Sequence, residues 1–352
     1  MKINGARGLG SASRTETGTT VKEREPLYVA VVGSGSIGKQ HLDALRQVPG
    51  VHPVAVPARP ERISQLVDAG YATAKDLYET ARLGATCCIV ATDPGRHVQD
   101  ALSAVELGLD VLVEKPLAAD AQSAQWLCRE AEAMDRQLFI GYLLRFSESL
   151  NVFRRLLGKI GRLHSVRIEC HSYLPDWRRS RSYRESYSAR ASEGGVLRDL
   201  SHEIDYAGWL FGWPAALQAK TRNFGRLGIV AEEAALLAWE SPDGCLVSVG
   251  LDYLTRPTRR GIVAAGEQGT IEWDGVEGTV TLAPTSRPVQ VARSRQTYAE
   301  MLLAQDRAFL ETSWETRDPR LACGVDGVNT LAVCDAARLA GETRREEKVN
   351  YP

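Results

Sequence analysis

Two stretches of this chain carry side chains able to move a proton. The first is Glu114-Lys115-Pro116, at the end of the apolar run Asp110-Val-Leu-Val. A lysine at such a strand end can hydrogen-bond a substrate hydroxyl and favour its deprotonation. It reads equally as a surface lysine before a helix-starting proline. The Lys115–Pro116 bond is also a candidate cis peptide, which would aim the lysine. The second stretch is Glu193-Gly-Gly-Val-Leu-Arg-Asp-Leu-Ser-His-Glu-Ile-Asp-Tyr. On a helix, Asp199, His202 and Asp205 (or Tyr206) share one face, and Leu197, Leu200, Ile204 and Trp209 can face a core. A histidine beside a carboxylate can exchange a proton near neutral pH. The alternative is a histidine satisfied within a polar helix face.

These groups need elements to position them. The apolar run Tyr28–Val32 feeds Gly33-x-Gly35-x-x-Gly38, and a helical pattern follows at His41, Leu42, Ala44 and Leu45. Gly33 permits a tight turn and Gly35 lets backbone approach a pyrophosphate. Gly38 lets the helix pack close to the strand. Ser36 and Ile37 then open a helix whose N-terminus faces phosphate charge. The alternative is a glycine turn in some other α/β protein. Further strands are expected at 51–56, 85–91, 110–114 and 137–141. Helices are expected at 61–69, 76–82, 94–107 and 119–134. That alternation implies a doubly wound parallel sheet of Rossmann type over residues 27–145.

The pattern then changes. Alternating strands are expected at 165–171, 234–240, 245–251, 261–265, 270–273 and 278–282. Helices are expected at 147–157, 197–210, 297–312 and 325–339. Residues 146–352 thus read as an α+β domain with a large, mostly antiparallel open-faced sheet and helices on one face. The fold class is α/β.

A chain of 352 residues suits two domains, and its hydrophobic and charged fractions are ordinary for a globular protein. The net charge of −1 gives no reason to expect nucleic acid or an anionic membrane as partner. No apolar run approaches the ~20 residues that span a bilayer. Residues 1–26 are polar and read as a flexible tail, not a signal peptide. The seven cysteines form no CxxC and read as reduced thiols of a cytoplasmic enzyme. Neither they nor the histidines form a metal-ligand cluster, so no metal is expected.

As a set, these motifs resemble the glucose–fructose oxidoreductase / inositol dehydrogenase (Gfo/Idh/MocA) family. The resemblance rests on Gly33-x-Gly35-x-x-Gly38, Ala91-Thr92-Asp93-Pro94 with His97, Glu114-Lys115-Pro116, Gly141-Tyr142 with Arg145-Phe146, and Gly194-Gly195 through Asp205. It covers nearly everything after residue 26. It implies a two-domain oxidoreductase with a nicotinamide cofactor over the first domain. The second-domain sheet often mediates oligomers, so a homodimer or homotetramer is expected. The resemblance assigns Lys115 and His202 to acid/base catalysis, and Asp199 is the third catalytic candidate. Thr92, Pro94, His97, Glu114 and Lys115 join the glycine turn in cofactor binding. Arg145, Tyr173, Trp177, Arg178, Tyr187, Asp199 and His202 are the implied substrate contacts. The segments Tyr173–Arg178 and Tyr183–Tyr187 also resemble a subgroup associated with surface-polysaccharide and sialic-acid-like sugars.

The chain departs from the commoner family pattern twice. Many members carry aspartate four residues before the histidine. That position is Arg198 here, and the acid is Asp199, about 100° away on a helix. No acid follows the second strand in Val56-Pro57-Ala58-Arg59. Arg59 is placed to pair with a 2′-phosphate, which favours NADP over NAD. Otherwise Arg59 is solvated or stacks on adenine. The loop 178–190 carries Arg178, Arg179, Arg181, Arg184 and Arg190. It suits an anionic sugar or a subunit interface. The implied reaction transfers hydride between nicotinamide and a CH–OH/ketone carbon of a sugar, sugar-nucleotide or cyclitol derivative. The rivals are a non-catalytic sugar- or dinucleotide-sensing protein and an NAD-dependent glycosidase.

Overall fold

A computed structural model describes residues 26–177, 182–312 and 315–352. The expected tail, Pro26 apart, lies outside the described residues, as do Arg178, Arg179 and Arg181.

The first half alternates strand and helix. In order it runs β1 (Leu27–Val32), α1 (Ser36–Leu45), β2 (Val51–Val56), α2 (Ile63–Asp68), β3 (Ala72–Thr73), α3 (Leu77–Arg82), β4 (Cys87–Val90), α4 (Pro94–Glu106), β5 (Asp110–Val113), α5 (Ala121–Ala133) and β6 (Leu138–Ile140). Asp76 and Asp120 accept the Glu79 and Ser123 backbone N–H groups and so start α3 and α5. Pro94 occupies the first turn of α4. These strands are parallel in the order β6-β5-β4-β1-β2-β3. Val29, Val31 and Ile89 pack on one face and Ala30, Cys88 and Val90 on the other, so the sheet is buried on both sides.

The second half contains α6 (Glu148–Leu156), β7 (Leu163–His171), α7 (Leu174–Trp177), α8 (Val196–Asp199), α9 (Ser201–Phe211), β8 (Ala216–Arg222), β9 (Ala234–Glu240), β10 (Leu246–Asp252), β11 (Arg259–Gly266), β12 (Gly269–Asp274), β13 (Thr279–Pro284), β14 (Gln290–Arg293), α10 (Tyr298–Leu310), β15 (Ala322–Cys323), α11 (Gly324–Thr343) and β16 (Glu347–Lys348). Nine strands form one sheet, β14-β13-β12-β11-β7-β10-β9-β8-β16. It is antiparallel except between β7 and β10. Along β9, Ala235, Leu237 and Trp239 are buried while Leu236, Ala238 and Glu240 are exposed. One face therefore packs on α6, α9 and α11, and the other is open.

Three late elements return to the first sheet. β15 pairs antiparallel with β6, α10 packs on α1, and α11 packs on α5 and β6. One expected element differs. The helix over 197–210 is broken at Leu200, whose backbone sits at φ −96°, ψ 33°.

Candidate functional site

The glycine turn is built from two kinds of glycine. Gly33 has φ +98°, and a Cβ there would lie 2.6 Å from the Ala91 carbonyl oxygen. A Cβ on Gly38 would lie 2.0 Å from the Gly33 carbonyl oxygen. Both are needed for the turn to close. Gly35 differs: a Cβ there meets nothing within 4 Å. Its open side faces two adjoining cavities, of about 510 and 740 Å³. Ser36 and Ile37 begin α1, whose first turn carries no acid, so its N–H groups face the cavities uncompensated.

Lys115 lines the first cavity just beyond the end of β5, and the Lys115–Pro116 bond that follows it is cis. Its Nζ donates to the Asp199 carbonyl oxygen at 2.6 Å and lies 3.3 Å from Asp199 Oδ1. The break at Leu200 explains the first contact. In an unbroken helix the Asp199 carbonyl would accept from the Glu203 N–H. Here that N–H turns to the Leu200 carbonyl at 3.3 Å, and the Asp199 carbonyl is free for the ammonium.

The Asp199 carboxylate is buried and fully partnered. It accepts from Tyr187 Oη at 2.6 Å, Ser188 Oγ at 2.6 Å and Tyr253 Oη at 3.0 Å. Burial alone would raise its pKa, but Lys115 and these hydroxyls hold it below the usual range. Gly194 and Gly195 make this approach possible. A Cβ on Gly194 would lie 2.1 Å from the Tyr187 carbonyl oxygen, and one on Gly195 2.2 Å from the Glu232 carboxylate.

His202 lines the same cavity one turn further on, edge-on to the Tyr142 ring. Burial, then the positive charges of Lys115 and Arg260, push its pKa well below 6.5. It is therefore a neutral base at physiological pH.

Most of the expected residues meet here. Thr92, Pro94, His97, Glu114, Trp177 and Tyr187 line the first cavity with Lys115, Asp199 and His202. His97 braces two loops: its ring nitrogens lie 2.7 Å from the Pro116 carbonyl oxygen and 3.0 Å from that of Thr92. Gly33 and Arg59 line the second cavity.

Four expectations are corrected. Arg145 does not reach the cleft: it is buried, with a bidentate pair to Asp205 at 2.6 and 2.9 Å and a bond to Asp326. Asp205, tied to Arg145, does not share the site with Asp199 and His202. Tyr173 lies under the Arg256 guanidinium, 3.5 Å from its ring centroid, and does not line the cavity. Of the described loop arginines, Arg184 donates to the Leu227 carbonyl and Arg190 to Glu193, so neither points into the cleft. Arg178 lies outside the described residues.

The sequence reading missed Ser188, Tyr253, Ser172 and Arg260, all at strand ends or turns where alternation gives no sign of facing a cleft. It also missed His41. This buried ring sits between Asp306 at 2.9 Å and Glu114 at 3.2 Å, joining α10 to the Lys115 turn through α1.

The glycine turn, the Lys115 turn and the nine-stranded sheet together match known proteins. Residues 27–142 match the oxidoreductase family model with an NAD-binding Rossmann fold, and residues 156–272 match the GFO/IDH/MocA C-terminal domain. The chain belongs to the Gfo/Idh/MocA family. Within it, the rhizopine catabolism protein MocA of Rhizobium meliloti is 28% identical over 322 residues, covering 88% of this chain and 93% of that one. The myo-inositol dehydrogenase Hyg17 of Streptomyces leeuwenhoekii is 28% identical over 310 residues, covering 81% and 87%. An Agrobacterium radiobacter oxidoreductase, solved with NAD+, L-tartaric acid and magnesium, shares the fold. Its TM-score is 0.79 at 21% identity, covering 92% of this chain and 98% of that one.

Proposed function

We propose that this protein is a nicotinamide-dependent dehydrogenase or ketoreductase acting on a secondary alcohol or ketone of a sugar, sugar-nucleotide or cyclitol derivative. One observation carries the reading: Lys115 and a neutral His202 line a cavity that opens onto the Gly35 turn. The residues fit the cofactor, since Gly35 leaves its side of the turn clear and Gly33 and Gly38 hold the turn closed. Gly33, Gly35, Ser36 and Ile37 would hold its phosphates, with Thr92, Pro94, His97 and Glu114 alongside. A bound nicotinamide supplies the hydride acceptor for oxidation or the donor for reduction. In oxidation, His202 accepts the hydroxyl proton. Lys115 hydrogen-bonds the same oxygen as negative charge develops. Asp199 faces the ammonium and aims it. Reduction reverses the proton's direction. The sugar or cyclitol class is supported by the names of the relatives, a myo-inositol dehydrogenase among them.

The NADP preference belongs to the same proposal. The second cavity is lined by Lys39, Arg59, Arg62 and Arg96, against Asp93 and Glu185. Arg62 is steadied by a bond to the Ser34 carbonyl at 3.3 Å. Such a cationic rim suits a 2′-phosphate. Binding of NADPH about tenfold or more tighter than NADH is expected by fluorescence titration. Equal or tighter NADH binding overturns the preference. For the chemistry, Lys115→Ala should lower kcat by about a thousandfold or more with an unchanged circular dichroism spectrum. Near-normal turnover in that variant sinks the proposal.

A further inference from the structure

Resting on that reading, we infer that Arg260 is a specificity-determining residue that takes a carboxylate substituent of the substrate. Position 260 belongs to the inward row of β11 that continues through Ile262 and Ala264, both buried. It stands opposite Cys170 of β7. A row of apolar residues therefore ends in a guanidinium, and it does so at the wall of the cavity that holds Lys115 and His202.

Two of the three guanidinium nitrogens are engaged. Nε donates to Glu203 Oε1 at 2.8 Å and Nη2 to Cys170 Sγ at 3.4 Å. These contacts fix the plane of the group, and Nη1 has no protein partner among the described residues. Ser172 lines the same cavity. Its oxygen accepts the Trp177 indole N–H at 2.6 Å, which leaves the hydroxyl proton free to donate. The cleft thus offers two donors besides the acid/base pair, with Arg260 close enough to His202 for its charge to act on that ring. Arg260 is already half neutralised by Glu203, so it suits one negative charge rather than the two or more of a diphosphate. A sugar acid fits, with its carboxylate on Arg260 and Ser172 and its reacting hydroxyl toward His202.

The test compares D-glucuronate with D-glucose, which differ at one carbon, and adds UDP-glucose. Turnover is read with oxidised cofactor, and binding is read by calorimetry in the presence of reduced cofactor. The variants are Arg260→Lys and the double change Glu203→Gln with Arg260→Gln, which leaves no lone buried charge. The wild type should prefer glucuronate. The glucuronate-to-glucose ratio should fall roughly ten- to a hundredfold in both variants. An unchanged ratio overturns the inference, as does a wild type that prefers glucose or binds neither sugar. UDP-glucose binding that weakens as much as glucuronate binding assigns the site to a diphosphate and also overturns it. Glucuronate binding that depends on Arg260, with no cofactor reduced by any sugar, keeps the inference and removes the oxidoreductase reading.

Discussion

Asp199 accepts from three hydroxyls and faces the Lys115 ammonium, while its backbone carbonyl takes that ammonium's shortest contact. It lines the cavity beside Lys115, and we propose that it works by aiming the lysine. Asp199→Asn keeps the shape but removes the charge opposite Lys115. It should lower kcat by roughly ten- to a hundredfold with a smaller change in KM, read by steady-state kinetics. A wild-type kcat in that variant removes Asp199 from the mechanism. His202 predicts the pH dependence. Its pKa is depressed by burial and two cations, so the base form persists as the pH falls below 6.5. The kcat/KM for oxidation should therefore show no acid limb near pH 6.5, only one well below it. A limb centred at 6.5 would mean that His202 titrates like a solvated imidazole. His41 carries the opposite shift. Burial would lower its pKa, but Asp306 and Glu114 raise it to about 10. Its folded-state pKa lies above the unfolded value, so its contribution to stability is complete below pH 6.5. That contribution is lost as the pH rises towards about 10. His41→Asn leaves two carboxylates facing each other and should cost about 3–5 kcal/mol in chemical denaturation at pH 7. A loss under about 1 kcal/mol would show that the pair contributes little. Lys115 and His202 were legible because they lie in contiguous motifs. Arg260, Tyr253 and His41 were not, because only tertiary packing decides which residue of an alternating strand, or of a helix, ends at a cleft.

The elements that position these residues were legible wherever periodicity was strong. The strands of the first sheet read as near-continuous apolar runs because both faces are covered. The inner strands of the second sheet alternate because one face is open. The strands at 72–73, 216–222, 290–293, 322–323 and 347–348 did not announce themselves. They are two residues long or lie toward sheet edges, where partial exposure blurs the pattern. The break at Leu200 was invisible for a different reason. Nothing in Asp-Leu-Ser-His opposes a helix, and only the competing claim of Lys115 on the Asp199 carbonyl reveals it. The glycine turn yields a contrast within one element. Gly38→Ala drives a methyl into the Gly33 carbonyl and should lower the thermal midpoint by several degrees. Gly35→Ala meets only open space and has φ −72°, which alanine adopts freely. It should leave the thermal midpoint within about a degree and weaken nicotinamide dinucleotide binding at least tenfold, because the methyl occupies the approach to the phosphates. Equal effects on stability from both variants would mean that Gly35 is a packing glycine like its neighbour.

At the scale of the molecule, the two sheets are tied together. α10 rests on α1, α11 lies between α5 and β8, and β15 completes the first sheet. The cleft between them therefore has a braced wall on each side, and His41 with Asp306 is one of the braces. What the fold leaves unbraced is the open face of the second sheet. Leu236 is 58% exposed and Leu246 64% exposed, on adjacent strands of that face. They lie four residues apart along the strands, Leu246 opposite Glu240 and Leu236 opposite Gly250. Exposed apolar side chains spread over an open sheet face suit an association surface. Family resemblance points to the same face, and we infer a homodimer, or a tetramer built from it, with the sheets packed face to face. Two-fold packing would place each leucine pair against the same pair of the partner, since such an interface uses one patch twice. Light scattering on the protein should therefore give at least twice the chain mass of 38.5 kDa. Replacing both Leu236 and Leu246 with lysine sets like charges against each other across the two-fold and removes the apolar contact. That variant should run as a monomer with its cofactor site intact, because neither leucine approaches the cleft. A monomeric wild type, or a double variant that keeps its mass, would show that this face is simply solvated.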